Sequence, residues 1–112
     1  MTRTKGDNLQ GALAVLVLKS LERGPMHGWG ITLHIERISN EILRVEEGSL
    51  YPALHRLERQ KLVAGSWHTT ENSRQAKLYS ITGAGKARLT ELRRHWKSVA
   101  KGVKLVLRFK RS

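Results

Sequence analysis

The chain is 112 residues long, 39% of them apolar and 27% charged, which suits one compact domain and is too short for a multidomain enzyme. Its 21 Lys and Arg against 9 Asp and Glu give a formal charge of +12, so a polyanionic partner is expected, nucleic acid first and an acidic membrane surface second. Cysteine is absent, which excludes disulfides, thiolate metal sites and cysteine nucleophiles together and fits a reducing cytoplasm.

Arg3 and Lys5 precede the apolar run from Leu13 to Leu18, but Lys19, Glu22 and Arg23 follow at once and no small-residue cleavage site is present. No apolar stretch approaches the roughly 20 residues that cross a bilayer, so the expectation is a soluble, unprocessed cytoplasmic protein with no membrane partner. Charge divides the chain. Residues 1–82 carry 11 basic and 8 acidic side chains, net +3, whereas residues 83–112 carry 10 and 1, net +9. The expected partition is a folded domain over 1–82 and a basic C-terminal helix over 83–112.

In chain order, Asp7 or Asn8 can cap a first helix through Leu9, Leu13, Leu16 and Leu21, apolar enough around Ala12 to Leu18 to need cover on most sides. Gly24 and Pro25 end it. Ile31, Ile35 and Ile38, with Leu33 alongside, predict a second helix over 28–38, closed by Ser39 and Asn40. Ile42 to Val45 reads as a short extended piece. A third helix is expected from Gly48 and Ser49, with Ser49 as its cap and Pro52 in its first turn. Leu50, Ala53, Leu54 and Leu57 form its inner face, while Ser49, Tyr51, Pro52, His55, Arg56 and Arg59 offer hydroxyl, imidazole and guanidinium groups suited to DNA.

Residues 62–69 and 76–81 are β-prone and flank a polar tip containing Ser73, Arg74 and Gln75, the pattern of a hairpin. Trp29 and Trp67 are expected in the core. Thr82 caps a last helix whose Leu89, Leu92, Trp96, Val99, Val103 and Val106 recur at 3, 4, 3, 4, 3, a heptad seam that calls for another helix and so for a homodimer. The expected fold is mainly α with a small β element (α+β): a winged helix-turn-helix with a long C-terminal dimerisation helix. Its third helix fits a major groove about 12 Å wide, where Arg56 or His55 would reach base edges, and Arg74 and Lys77 on the hairpin would lie along the flanking backbone or minor groove and contact phosphates.

Three segments then stand out: Gly24-Pro25-Met26-His27-Gly28-Trp29-Gly30-Ile31, Gly48-Ser49-Leu50-Tyr51-Pro52-Ala53-Leu54-His55-Arg56-Leu57-Glu58, and Lys77-Leu78-Tyr79-Ser80-Ile81-Thr82-Gly83-Ala84-Gly85. In this order, the chain resembles PadR-family transcriptional regulators over about residues 9 to 95. The resemblance implies a homodimeric bacterial or phage repressor that contacts double-stranded operator DNA through Ser49, Tyr51, Pro52, His55 and Arg56, with wing contacts from Ser73, Arg74 and Lys77. It departs from the family at the hairpin tip, which lacks a proline common there, and at Trp29, where tyrosine is usual. Some members bind planar aromatic compounds near the dimer interface, which makes Trp96 the candidate stacking surface for a small aromatic effector. The plainer alternative is that Trp96 fills the dimer core.

Other readings remain open. Tyr51 can be a core-edge aromatic and His55 a solvated helix residue. A sequence-tolerant architectural or RNA-binding protein would account for +12 equally well, and a protein-interaction module would use the heptads with a different partner. Against an enzyme, the five histidines show no HExxH or zinc-ligand spacing, and Gly24 to Gly30 lacks the spacing of a phosphate-binding loop. No catalytic residue, metal or cofactor is therefore assigned.

Overall fold

The structure, a computed structural model, describes residues 11–111. The elements are α1 (Leu13–Leu21), β1 (Met26–His27), α2 (Gly28–Ile38), α3 (Glu47–Arg59), β2 (Val63–Thr69), β3 (Gln75–Ile81) and α4 (Gly83–Arg108). The three strands form one antiparallel sheet in the order β1-β3-β2. This is a winged helix-turn-helix with a long last helix. The caps expected at Asp7 or Asn8, and Leu9 with them, lie outside the described residues.

The apolar character of α1 follows from its central position, since it touches α2, α3, α4 and β3. Leu13, Val17, Leu18 and Leu21 are buried in the core, and Ala14, Val15 and Leu16 pack at its margin. Gly24 then adopts φ 149°, a backbone region that side chains disfavour.

Ile31 and Ile35 of α2 are buried as expected, but Ile38 is 66% exposed and Leu33 is exposed too. Leu33 stands two residues from Ile31, on the far side of the helix, and Ile38 is the helix's last residue, past the buried stripe. The piece from Ile42 to Val45 forms no strand; Leu43 makes only an isolated bridge. Asn40 and Glu41 take positive φ here, and the Ser39 hydroxyl accepts from the Leu43 N–H at 3.0 Å.

The start of α3 also differs from expectation. Glu46 is the N-cap and Glu47 the first helical residue, an acidic pair suited to the positive end of the helix dipole, while Ser49 makes no capping bond. Pro52 is consequently the sixth helical residue, so its missing N–H removes a bond to the Gly48 carbonyl. Gly48 itself is exposed, so the missing bond lies at the surface end of the helix rather than in the core.

A reciprocal turn closes α3. Lys61 takes φ 61°, its N–H donates to the Glu58 carbonyl at 2.9 Å, and the Leu62 N–H donates to Leu57 at 2.9 Å. Thr82 joins this turn to α4. Its hydroxyl accepts from the Gly85 N–H at 3.0 Å and donates to the carbonyls of Lys61 at 2.8 Å and Leu62 at 3.0 Å.

Only the first part of α4 packs on the body. Leu89 is buried in this chain's own core and Leu92 lies beside it, Trp96 and Val99 are half-buried, and every residue from Ala100 to Arg111 is exposed. The heptad seam is thus divided: its first two positions are covered within the protomer by α1 and the core. The radius of gyration, 15.9 Å against about 13 Å for a compact chain of this length, reflects the projecting helix. Among the described residues, no helix is long and apolar enough to cross a membrane.

Candidate nucleic-acid interface

The four apolar residues Leu50, Ala53, Leu54 and Leu57 fix α3 against the core. Opposite them on a 3.6-residue helix stand Pro52, His55 and Arg59, all exposed. Ser49 and Arg56 lie on one flank, Tyr51 and Glu58 on the other. A central row of three residues at i, i+3 and i+7 therefore faces outward with a guanidinium at its C-terminal end.

Arg56 sits on the α4 side, where it lines a cleft of about 240 Å³ with Ala14, Leu57, Arg88 and Leu92. The PadR resemblance implies a DNA contact from Arg56, whereas helical phase places Arg59 nearer the middle of the exposed face.

Tyr51 turns toward the wing. A Cβ on Gly28 would fall 2.6 Å from the Tyr51 hydroxyl oxygen, so glycine at the start of α2 is what lets the phenol seat there. Between α3 and the sheet lies a second cleft of about 330 Å³, walled by Trp29, Tyr51, His55, Trp67, Lys77 and Tyr79.

Trp29 and Trp67 are not core residues: they are 50% and 65% exposed. Trp29 stands two residues before Ile31 and so on the far side of α2 from the buried stripe, and Trp67 lies on the mostly exposed strand β2. The periodicity of α2 carried the signal for the first; β2 carried none for the second.

The wing's charges are not equivalent. Arg74 is exposed at the tip, beside Ser73, whose φ of 59° completes a three-residue loop. The Ser73 N–H donates to the Thr70 carbonyl at 3.0 Å, and Thr70 in turn donates to the Arg74 carbonyl at 2.8 Å. Lys77, also expected at the backbone, donates to Glu58 Oε1 at 2.8 Å and lies 5.4 Å from the Tyr79 ring centre. The Glu58 hydrogen bond is the main reason its ammonium titrates above the usual lysine range. Burial holds the Tyr79 phenol above its usual range, with Lys77 opposing.

A cluster around His27 joins residues that no local pattern in the sequence links. His27 stacks on Trp29 with ring centres 4.2 Å apart, and its Nε2 is 2.7 Å from that of His68 on β2. Burial chiefly, and His68 next, hold His27 below the usual histidine range. The two histidines are 41 residues apart in sequence, and only the pairing of both β1 and β2 with β3 brings them together. Among the described residues, no three His, Cys, Asp or Glu side chains converge as metal ligands.

A helix-turn-helix carrying an exposed polar row, flanked by a basic-tipped hairpin, defines a winged-helix protein of the DNA-binding class. The sequence matches the Transcriptional regulator PadR-like family over residues 17–91, and the chain belongs to that family. It is 33% identical over 94 residues to the transcriptional regulator Rv3488 of Mycobacterium tuberculosis, covering 84% of each chain. It is similar to the crystal structure of a PadR family transcriptional regulator from Eggerthella lenta at 30% identity, with a TM-score of 0.75 over 93% of this chain and 88% of that one. A transcriptional regulator from Clostridium thermocellum shares the fold, with a TM-score of 0.79 at 23% identity over 88% of this chain and 95% of its own. The protein is a PadR-family transcriptional regulator, a class whose members are not enzymes.

Proposed function

We propose that this regulator is a homodimeric repressor that lays α3 in the major groove of a pseudo-palindromic operator. The observation that carries this reading is the exposed row Pro52, His55 and Arg59, held outward by the burial of Leu50, Ala53, Leu54 and Leu57. Imidazole and guanidinium groups at this spacing can reach base edges, with Arg bidentate to guanine as the strongest pairing. Ser49, Tyr51 and Arg56 then flank the row, and Ser73 and Arg74 approach the adjacent backbone. Lys77 supports the wing from within.

The second copy covers Trp96, Val99, Val103 and Val106, which the protomer leaves half-buried or exposed. Trp96 would lie on that covered face, where a planar aromatic effector could stack and relieve repression.

Selection of bound duplexes from a random library near physiological salt tests the reading. Enrichment of an inverted repeat with half-sites about 34–36 Å apart supports it. Binding without enrichment would replace it with a sequence-tolerant binder.

A further inference from the structure

One face of α4 carries more positive charge than a solvated helix face requires. Lys86, Arg93, Lys97, Lys101, Lys104 and Arg108 follow one another at steps of three or four residues, with Thr90 at the one uncharged step and Arg94 beside them. All are exposed, and they form one row about 33 Å long at 1.5 Å per residue. The helix's one acid, Glu91, stands instead on the side of Arg88 and His95. Glu22 of α1 lies within electrostatic reach of Lys86 and Arg93, but its carboxylate is already hydrogen-bonded to Lys19.

Like charges at these spacings repel one another along a helix, so the row is unfavourable unless an anion accompanies it. Its length is close to one turn of duplex DNA, which presents a phosphate every 3.4 Å or so along each strand. The row does not coincide with the other surfaces. Lys86 precedes Arg88 by two residues, so it points away from the cleft that Arg88 shares with Arg56 on α3. Trp96, Val99, Val103 and Val106 lie roughly a third of a turn away, which leaves the apolar face free for a second copy. The family match ends at residue 91, so all of the row but Lys86 lies beyond it.

We propose that the basic row of α4 is a second, sequence-independent binding surface for the phosphate backbone of duplex DNA, separate from the α3 surface. It would add non-specific affinity and let the protein hold a DNA segment other than the one α3 reads. The proposal does not depend on operator recognition by α3.

The test measures binding of the full-length protein to a random-sequence duplex of about 40 base pairs as a function of salt. The variant combines Lys97→Gln, Lys101→Gln, Lys104→Gln and Arg108→Gln, with helix content by circular dichroism as the folding control. Each lost phosphate contact lowers the slope of log affinity against log salt by about 0.9, so a decrease of two to four is expected, with binding at least roughly tenfold weaker near 100 mM salt. The milder pair Lys101→Gln and Lys104→Gln should lose about half as much slope. Lys97→Arg, Lys101→Arg and Lys104→Arg together should bind as the parent does. An unchanged slope in the four-fold glutamine variant overturns the proposal. So does a loss seen only on vesicles of phosphatidylglycerol and phosphatidylcholine, which would assign the row to lipid. A companion variant, His55→Ala with Arg59→Ala, separates the two readings, because it should abolish sequence enrichment while keeping most of the salt slope.

Discussion

Lys77 of β3 and Glu58 of α3 hold the wing to the third helix, with 2.8 Å between Nζ and Oε1 and side chains only 21% and 27% exposed. Gly65 of β2 makes the arrangement feasible, since a Cβ there would come within 2.4 Å of the Lys77 side chain. Glu58→Gln should destabilise the fold by about 1–2 kcal/mol, between the values for exposed and buried pairs. It should also free a cation beside the interface, steepening the salt dependence of random-DNA binding by up to about 0.9. Because Lys77 titrates above 10.5, the stabilisation from its charged form is present at neutral pH and lost only as pH rises past that range. Denaturant unfolding and salt titration check the two parts.

Gly28→Ala should destabilise the protein by about 1–3 kcal/mol, because the added carbon meets the Tyr51 ring and hydroxyl from 2.6 to 3.0 Å away. The same substitution in a Tyr51→Ala background should cost much less. A double-mutant cycle of unfolding midpoints measures the coupling, and additive effects would show that the two residues do not compete for the same space.

His27 titrates below its ordinary 6.5, chiefly through burial and then through His68. A histidine with a depressed folded pKa contributes stability above the unfolded value and loses it as pH falls through the folded one. His34, held low by burial, then Arg23 and Arg37, acts with the same sign. The fold should therefore lose stability as pH drops below about 6.5. Ring-proton NMR should place the His27 midpoint below 6.5, and His68→Asn should raise it only part of the way because burial remains.

Val99→Asp puts a carboxylate on the proposed dimer face at a position the protomer leaves half-buried, so folding should survive while association fails. Sedimentation checks this: the proposed interface predicts a dimer for the parent and a folded monomer for the variant. A variant that stays dimeric would move the interface elsewhere.

Much of the fold was legible because periodicity is local. The stripe Ile31 and Ile35, the inner face of α3 and the cap at Thr82 each lie within a few residues of sequence. Strand β1 was not legible, since two residues show no alternation. Ser49 and Pro52 are residue types that favour a helix start, but the acidic Glu46 and Glu47 begin α3 earlier. The heptad seam showed apolar spacing without saying what covers it, and Leu89 proved to belong to the chain's own core. In the candidate site, the outward row followed from helical phase. The ion pair between Glu58 and Lys77 and the contact between His27 and His68 did not, because they join residues 19 and 41 positions apart on different elements.

On the proposed function, the outward row Pro52, His55 and Arg59 of α3 reads bases. The most direct measurement repeats the random-library selection with Arg59→Ala alongside the parent. The parent should enrich an inverted repeat. Arg59→Ala should lose preference at one symmetry-related pair of positions, weakening the best site by about 1–3 kcal/mol while barely changing binding to random DNA. An identical enriched motif from parent and variant would contradict the claim.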